Sequence, residues 1–266
     1  MSTVRLAATV ILARPPLEIY LARRSSSAAF APDAFVFPGG TTEAQDASEA
    51  ARARTVGLEL ERLNREFRAE VPRELTSDEP AIGNDVAATL MIAALRELFE
   101  EAGVLLARTA AAQPVALPAG DWQRIGEQRE AVRSGALPFA DFLAAHDWYA
   151  DARALTLFSH WITPPSEPRR YNTHFFFAIA PPDQAALADA TETHDGIWIA
   201  PSAALERRES GSLHLVYPTI KHLERLARFD SVQSALEYAQ RKPVLTIVPN
   251  DTADDFAIPA VLENAW

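Results

Sequence analysis

The chain has 266 residues, 48% of them hydrophobic and 23% charged, which fits a globular protein and excludes a wholly disordered chain or a low-complexity fibre. Its 36 acidic residues outweigh 25 basic ones for a formal charge of −11, which argues against a nucleic-acid polymer as partner. It has no cysteine, which excludes disulfides, thiolate metal sites and a cysteine nucleophile, and no apolar run reaches the ~18 residues of a membrane span.

From the N-terminus, Val4–Leu12 and Glu18–Arg23 read as strands on either side of a Pro15-Pro16 turn. Read as strands, this segment gives no clear targeting signal, and the chain is expected in the cytoplasm and away from membranes. Phe35-Val36-Phe37 is a third, short strand, ended by a Pro38-Gly39-Gly40 turn. Residues 47–88 are charged, helical around Ser48–Glu70 and interrupted near Pro80–Asp85. The next helix runs over about Asp85–Ala102, with Gly103 as its stop. Residues 107–119 read as a surface connection, and two short helices follow near Asp121–Ser134 and Phe139–His146. Leu155–Thr163, Thr173–Ala180 and Ile197-Trp198-Ile199 read as strands, and Val244–Val248 as a last one. Helices are expected at Ser202–Arg208, Thr219–Arg228 and Val232–Gln240. This mixture predicts an α+β fold with helical insertions.

The helix ending at Gly103 carries the most information. At ~100° per residue, Glu97, Glu100 and Glu101 share one arc of roughly 100°. Met91, Leu95, Leu98, Phe99 and Ala102 fall on the other side, facing a core. Like charges at this spacing oppose one another. The stripe reads either as a solvated face or as a cluster of hard oxygen ligands for Mg²⁺ or Mn²⁺. Arg96 precedes Glu100 by one helical turn and can pair with it.

Arg96-Glu97-Leu98-x-Glu100-Glu101-x-Gly103-Val104 resembles the second half of the Nudix box. The first half is found as Gly40-x5-Asp46, with Asp where the family writes Glu. Arg96 lies 50 residues beyond Asp46, far more than in the usual box, and the 47–88 segment fills the difference. The chain is therefore similar to the Nudix branch with a long insertion inside the box, that of the peroxisomal coenzyme A diphosphatase. Leu21-Ala22-Arg23-Arg24-Ser25, the run from Phe30 to Gly40, Trp161-Ile162-Thr163-Pro164-Pro165 and Arg169-Arg170-Tyr171-Asn172-Thr173 also match. The resemblance spans about residues 4–210.

The resemblance implies a Nudix α/β/α sandwich with a mixed central sheet. The chain is expected to form a single domain over 1–266, with a helical insertion at about 47–88 and a C-terminal helical extension at about 217–266. It implies an enzyme, a Nudix pyrophosphohydrolase that uses Mg²⁺ or Mn²⁺ to cleave a diphosphate joined to another moiety. Coenzyme A or an acyl-coenzyme A is the first substrate to consider, with ADP-ribose, a nucleotide sugar or a dinucleotide as alternatives. A nucleotide-sensing module without catalysis is the alternative of another class, and the complete second half of the box favours the enzyme. In the family's roles Glu97, Glu100 and Glu101 hold or orient the metal, Gly39 offers it a backbone carbonyl, and Arg96 braces the carboxylates. Asp46 is either the first acid of the box or a helix cap. Glu192 is the candidate distant base or ligand, with Asp195 and His194 after it. Arg23, Arg170 and Gly40 are expected beside substrate, with Arg24 and Arg169 as neighbours and Tyr171 or Trp161 as stacking rings. The insertion would serve as a homodimer interface or a substrate cap.

Overall fold

A computed structural model of the chain describes residues 4–26, 31–67, 82–117, 122–184, 186, 193–251, 256–263 and 265–266. The first half runs β1 (Val4–Arg14), β2 (Glu18–Arg24), β3 (Phe35–Val36), β4 (Gly39–Thr41), α1 (Glu49–Ala53), β5 (Thr55–Val56), α2 (Leu60–Phe67) and α3 (Asn84–Ala102). The middle comprises β6 (Ala107–Thr109), α4 (Trp122–Arg133), α5 (Phe139–Ala145), β7 (Trp148–Asp151), β8 (Thr156–Ile162) and β9 (Arg170–Ile179). The chain finishes with β10 (Thr193–Ile199), α6 (Pro201–Glu209), α7 (Tyr217–Leu226), α8 (Val232–Arg241), β11 (Thr246–Ile247), β12 (Asn250–Asp251) and β13 (Phe256–Ala257).

Val10, Ile11, Leu12 and Ala13 of β1 are all fully buried, so this strand is covered on both faces. It runs parallel to β9 from Val4↔Arg170 to Ala13↔Ile179, and antiparallel to β2 at one end and to β4 at the other. The main sheet has the order β10-β2-β1-β9-β8-β11, with β3 beside β2 and β4 beside β1. It is mixed, as expected, because β9 and β11 add parallel pairs to an otherwise antiparallel sheet. One face packs Val10, Leu12 and Tyr20 against Leu98 and Phe99 of α3. The other packs Ile11, Leu21, Phe175 and Phe177 against Leu223 of α7 and Ala235 of α8. These two cores make the α/β/α sandwich.

Helix α3 spans the predicted range and ends where Gly103 takes φ +67°, the left-handed stop that glycine adopts without strain. It is not amphipathic in the expected sense. Every residue from Ala87 to Ala102 is buried, the acidic ones included, so the stripe is not a solvated face. The helical stretches expected after Ser48 are two short helices with a strand between them. Ser48 caps the short α1, β5 interrupts it, Gly57 turns at φ +86°, and α2 follows. The β-branched pair Thr55-Val56 is drawn out of the helix because it pairs with β7, which in turn pairs with β6. Leu63 of α2 belongs to the α3 core, and Phe67 packs on Phe176 at 6.1 Å, so this part of the insertion is fused to the body. The described part of the expected surface connection, residues 107–117, departs from that reading. Ala107–Thr109 form β6, and Val115 and Leu117 are buried.

Phe99 fixes α3 against the small α5 by stacking on Phe142 at 4.8 Å, with Phe139 at 6.0 Å. Phe99→Ala is expected to cost ~3–5 kcal/mol in urea unfolding.

The second core holds His222 between two partners. Nδ1 stands 2.6 Å from the Pro218 carbonyl, which can only accept, so Nδ1 carries the proton. Nε2 then accepts from the Ser159 hydroxyl at 2.6 Å. Burial pulls His222 down to about 3 and His160 down to about 4, from 6.5. Because both folded values lie below the unfolded one, the stability they confer is present above pH ~6.5 and is lost as pH falls toward these values. The unfolding free energy is expected to drop between pH 6.5 and 4, with the imidazole nitrogen shifts of His222 still those of a neutral ring at pH 5.

Candidate active site

The last turns of α3 bring Arg96 under the sheet with 0% of its surface exposed. A buried guanidinium needs acceptors in the plane of its fork. Its Nε donates to Asp46 Oδ1 at 2.8 Å and its Nη2 to Asp46 Oδ2 at 2.9 Å. Its Nη1 donates to Glu97 at 3.0 Å and to Glu100 at 3.1 Å, and Nη2 also reaches the Thr41 carbonyl at 3.2 Å. Asp46 sits in a 3₁₀ turn, Ala44–Ala47, where its Oδ2 also accepts from the Glu43 backbone at 2.8 Å. The cap of α1 is Ser48, so Asp46 has the first of its two expected roles in space, an acid meeting the arginine.

The Gly39-Gly40 pair lies in β4 against Ala8 and Thr9 of β1, and neither glycine is among the residues with positive φ. The turn expected at Pro38-Gly39-Gly40 is a strand at its two glycines, and the need for glycine is one of space. A Cβ on Gly40 would lie 2.5 Å from Glu97 Oε1, and one on Gly39 would lie 2.5 Å from the Ala8 carbonyl. The bare backbone also lets the Gly39 N–H donate to Glu101 Oε2 at 2.7 Å. Arg129 of α4 closes the back of the group by donating to the Glu100 carbonyl at 2.8 Å.

Asp46, Glu97 and Glu100 thus crowd around one buried guanidinium, with Glu101 close enough to Glu97 to repel it. Burial pushes Glu97 well above the usual carboxylate range, and repulsion from Glu101 and Glu100 adds to this while Arg96 opposes it. Glu100 is raised in the same way, chiefly by burial. Burial by itself would lower Arg96, but the hydrogen bonds to Asp46 and the charges around it win, and Arg96 stays cationic.

Glu97, Glu101, Gly39 and Gly40 open onto a cavity of about 410 Å³, which Arg5 and Arg24 also line. Its size is that of a small-molecule site. Among the described residues no three His, Cys, Asp or Glu side chains are grouped as a ready-made metal cage. The donor set still suits Mg²⁺ or Mn²⁺, since such an ion takes one or two carboxylates and completes its shell with water and substrate oxygens. Glu97 and Glu101, which line the cavity, could supply that pair of hard ligands.

The sequence model of the NUDT19 Nudix domain matches residues 1–226 of the chain. The chain belongs to the NUDT19 Nudix family. It is 30% identical over 245 residues to the acyl-coenzyme A diphosphatase NUDT19 of Gallus gallus, covering 84% of this chain and 64% of that protein. The Homo sapiens protein of the same name is 30% identical over 239 residues, covering 82% and 63%. The chain thus spans less than two thirds of these relatives. Among solved structures, a Nudix hydrolase from Alicyclobacillus acidocaldarius superposes with a TM-score of 0.66 at 25% identity, covering 89% of this chain and 97% of that one.

The Nudix box is split in sequence and joined in space, since Arg96 reaches Thr41, the neighbour of Gly40, across the insertion. Arg24, not Arg23, lines the cavity. Ala22 pairs with Val36 and Arg23 with Phe35, so Arg24 shares the face of Val36, which lines the cavity as well. Arg23 faces the other way, 2.8 Å from Asp33 and 3.8 Å from Asp195. Strict alternation along β2 was the signal that separates the two. Arg170 donates to the Thr163 carbonyl at 3.0 Å and does not line the cavity, whereas its neighbour Tyr171 does. Arg5 went unnoticed because it stands in an ordinary strand with no motif around it. Trp161 is buried in the sheet. Glu192 lies outside the described residues, and His194 is placed in β10 by its backbone alone.

Removing the Arg96 guanidinium should leave Asp46, Glu97 and Glu100 mutually repelling in a buried place. Arg96→Met is expected to cost ~3–5 kcal/mol at pH 7. Asp46→Asn should cost less, because the amide oxygen still accepts one of the two Arg96 bonds. Urea unfolding of both variants measures the difference.

Proposed function

We propose that the chain hydrolyses the diphosphate linkage of coenzyme A or an acyl-coenzyme A with the help of Mg²⁺ or Mn²⁺. The observation that carries this reading is the excess of buried carboxylate at the floor of a cavity whose rim is basic. Such an arrangement is costly for the protein alone and becomes balanced when a divalent cation and a polyanion arrive together. The acyl-coenzyme A diphosphatase activity in the names of the vertebrate relatives supports the choice of substrate.

Glu97 and Glu101 would hold the divalent ion, which would supply neutralisation of the phosphate oxygens and a lower pKa for the attacking water. The Gly39 N–H fixes the direction of the Glu101 carboxylate. Glu100 acts through Arg96, which keeps Glu97 turned toward the cavity. Arg5 and Arg24 at the rim meet the outer phosphates, where forked, charge-assisted hydrogen bonds are strongest. Tyr171 offers a ring to a base.

Incubating the full chain and Mg²⁺ or Mn²⁺ with coenzyme A, decanoyl-coenzyme A, ADP-ribose, a nucleotide sugar and a dinucleotide tests the reading, with products identified by mass. Phosphopantetheine, or its acyl form, with a nucleoside bisphosphate is the expected product pair. Binding without any product would make this a nucleotide-sensing protein instead. Glu101→Gln keeps an acceptor for Gly39 and removes a charge, so turnover should fall by on the order of 100-fold or more with little change in melting temperature. Chelation of divalent ions should abolish wild-type turnover, and either metal should restore it.

A further inference from the structure

Two neighbouring strands make a floor for the acidic cavity. Arg5, Ala7 and Thr9 alternate along β1, and Tyr171, Thr173 and Phe175 stand beside them on β9, in the register Arg5↔Tyr171, Ala7↔Thr173 and Thr9↔Phe175. The floor has two unlike ends. At one end Thr9 pairs with Gly39, whose N–H donates to Glu101. At the other end are Arg5 and the half-buried Tyr171. On this face of β1 only the small Ala7 lies between them, so no large side chain of the strand divides the two ends.

Arg5 is exposed and makes no hydrogen bond or ion pair among the described residues. That is unusual in a chain with 36 acidic and 25 basic residues. Arg23 and Arg170, by comparison, are tied to Asp33 and to the Thr163 carbonyl. An arginine carries its charge at every physiological pH, and its fork matches a phosphate. Of the two halves of coenzyme A, the pantetheine arm is uncharged, whereas the nucleoside half carries a base and a separate 3′-phosphate. A free guanidinium next to a ring suits the nucleoside half.

The strand gives the distance. Four residues separate Thr9 from Arg5, ~13 Å along β1. From the 5′-phosphorus to the 3′-phosphorus of a nucleotide there are six bonds, as many as in two extended residues, or ~7 Å. The arginine side chain also has six bonds from Cα to Nη and reaches about as far. Together they bridge the floor from the Glu101 end to the Arg5 end.

We propose that Arg5 grips the 3′-phosphate of the substrate and so selects 3′-phosphorylated coenzyme A over dephospho-coenzyme A and ADP-ribose. This deepens the hydrolase reading above and rests on it for the position of the diphosphate.

The test compares cleavage of coenzyme A and dephospho-coenzyme A by the full chain with Mg²⁺. Wild type is expected to favour coenzyme A in kcat/KM by at least ~tenfold. Arg5→Gln should cut that preference by about tenfold, since a forked contact with a charged group is lost. Arg5→Lys, which keeps the charge and loses the fork, should cut it by roughly threefold. Calorimetric titration with adenosine 3′,5′-bisphosphate and with 5′-AMP, both with Mg²⁺, reads the same contact without turnover. Wild type should bind the bisphosphate about tenfold more tightly, and Arg5→Gln should bind the two about equally. Proportional losses on both members of a pair would mean that Arg5 holds the shared phosphates, and they overturn the assignment. No change on either would make Arg5 a surface charge, with the same result. Cleavage of coenzyme A with a preference that ignores Arg5→Gln leaves the hydrolase reading standing and rejects the 3′-phosphate contact. Bisphosphate binding that depends on Arg5, without cleavage of either diphosphate, does the reverse.

Discussion

The two-pronged contact between Arg96 and Asp46 is the constraint on which the rest of the site depends. The two residues lie 50 positions apart, and both are essentially removed from water, at 0% and 1% exposure. A guanidinium cannot shed its charge in that setting, so every one of its donors must meet an oxygen. Asp46, Glu97, Glu100 and the Thr41 carbonyl take those places. The 3₁₀ turn that presents Asp46, the strand that presents Thr41 and the end of α3 are thereby locked to one another.

That lock leaves an imbalance. Arg96 serves three acids at once, and Glu97 and Glu101 line the cavity. Burial first, and repulsion between the acids after it, raises the affinity of Glu97 and Glu100 for protons. The backbone is shaped around the same need. Gly40 leaves the Glu97 carboxylate the room that a methyl group would occupy, and Gly39 presents an amide hydrogen to Glu101. The helix, the glycine strand and the arginine are three parts of one device for keeping two carboxylates forward in a place that is otherwise dry.

Much of this was legible in the sequence. The strands β1 and β2, helix α3 and its Gly103 stop followed from hydrophobic pattern and punctuation, because local preference and tertiary packing agree there. The pairing of Arg96 with Glu100 followed from helical spacing. What could not be read was decided by contacts between distant segments. Thr55-Val56 leave a helical stretch because β7 offers them an edge, and Ala107–Thr109 join the same small sheet. The acidic stripe read either as a solvated face or as a ligand cluster because helical geometry says which residues share a side, not what covers that side. Gly39 and Gly40 were read as a turn because glycine in sequence does not distinguish a need for positive φ from a need for space. The choice between Arg23 and Arg24 lay within reach, since cross-strand register puts them on opposite faces.

The ten-residue parallel ladder between β1 and β9 has a consequence for how the chain is made. During synthesis the hairpin of β1 with β2 and the helix α3 can form early, since their contacts are close in sequence. The other edge of β1 stays open until the segment up to Ile179 has emerged. That edge belongs to a strand with Val10, Ile11, Leu12 and Ala13 in succession, the kind of apolar, unpaired edge that recruits other chains. The nascent protein therefore has an interval of vulnerability set by the length of chain between its first strand and the partner it waits for. Shortening that wait, or shielding β1 during it, bears on yield of folded protein independently of the stability of the finished fold.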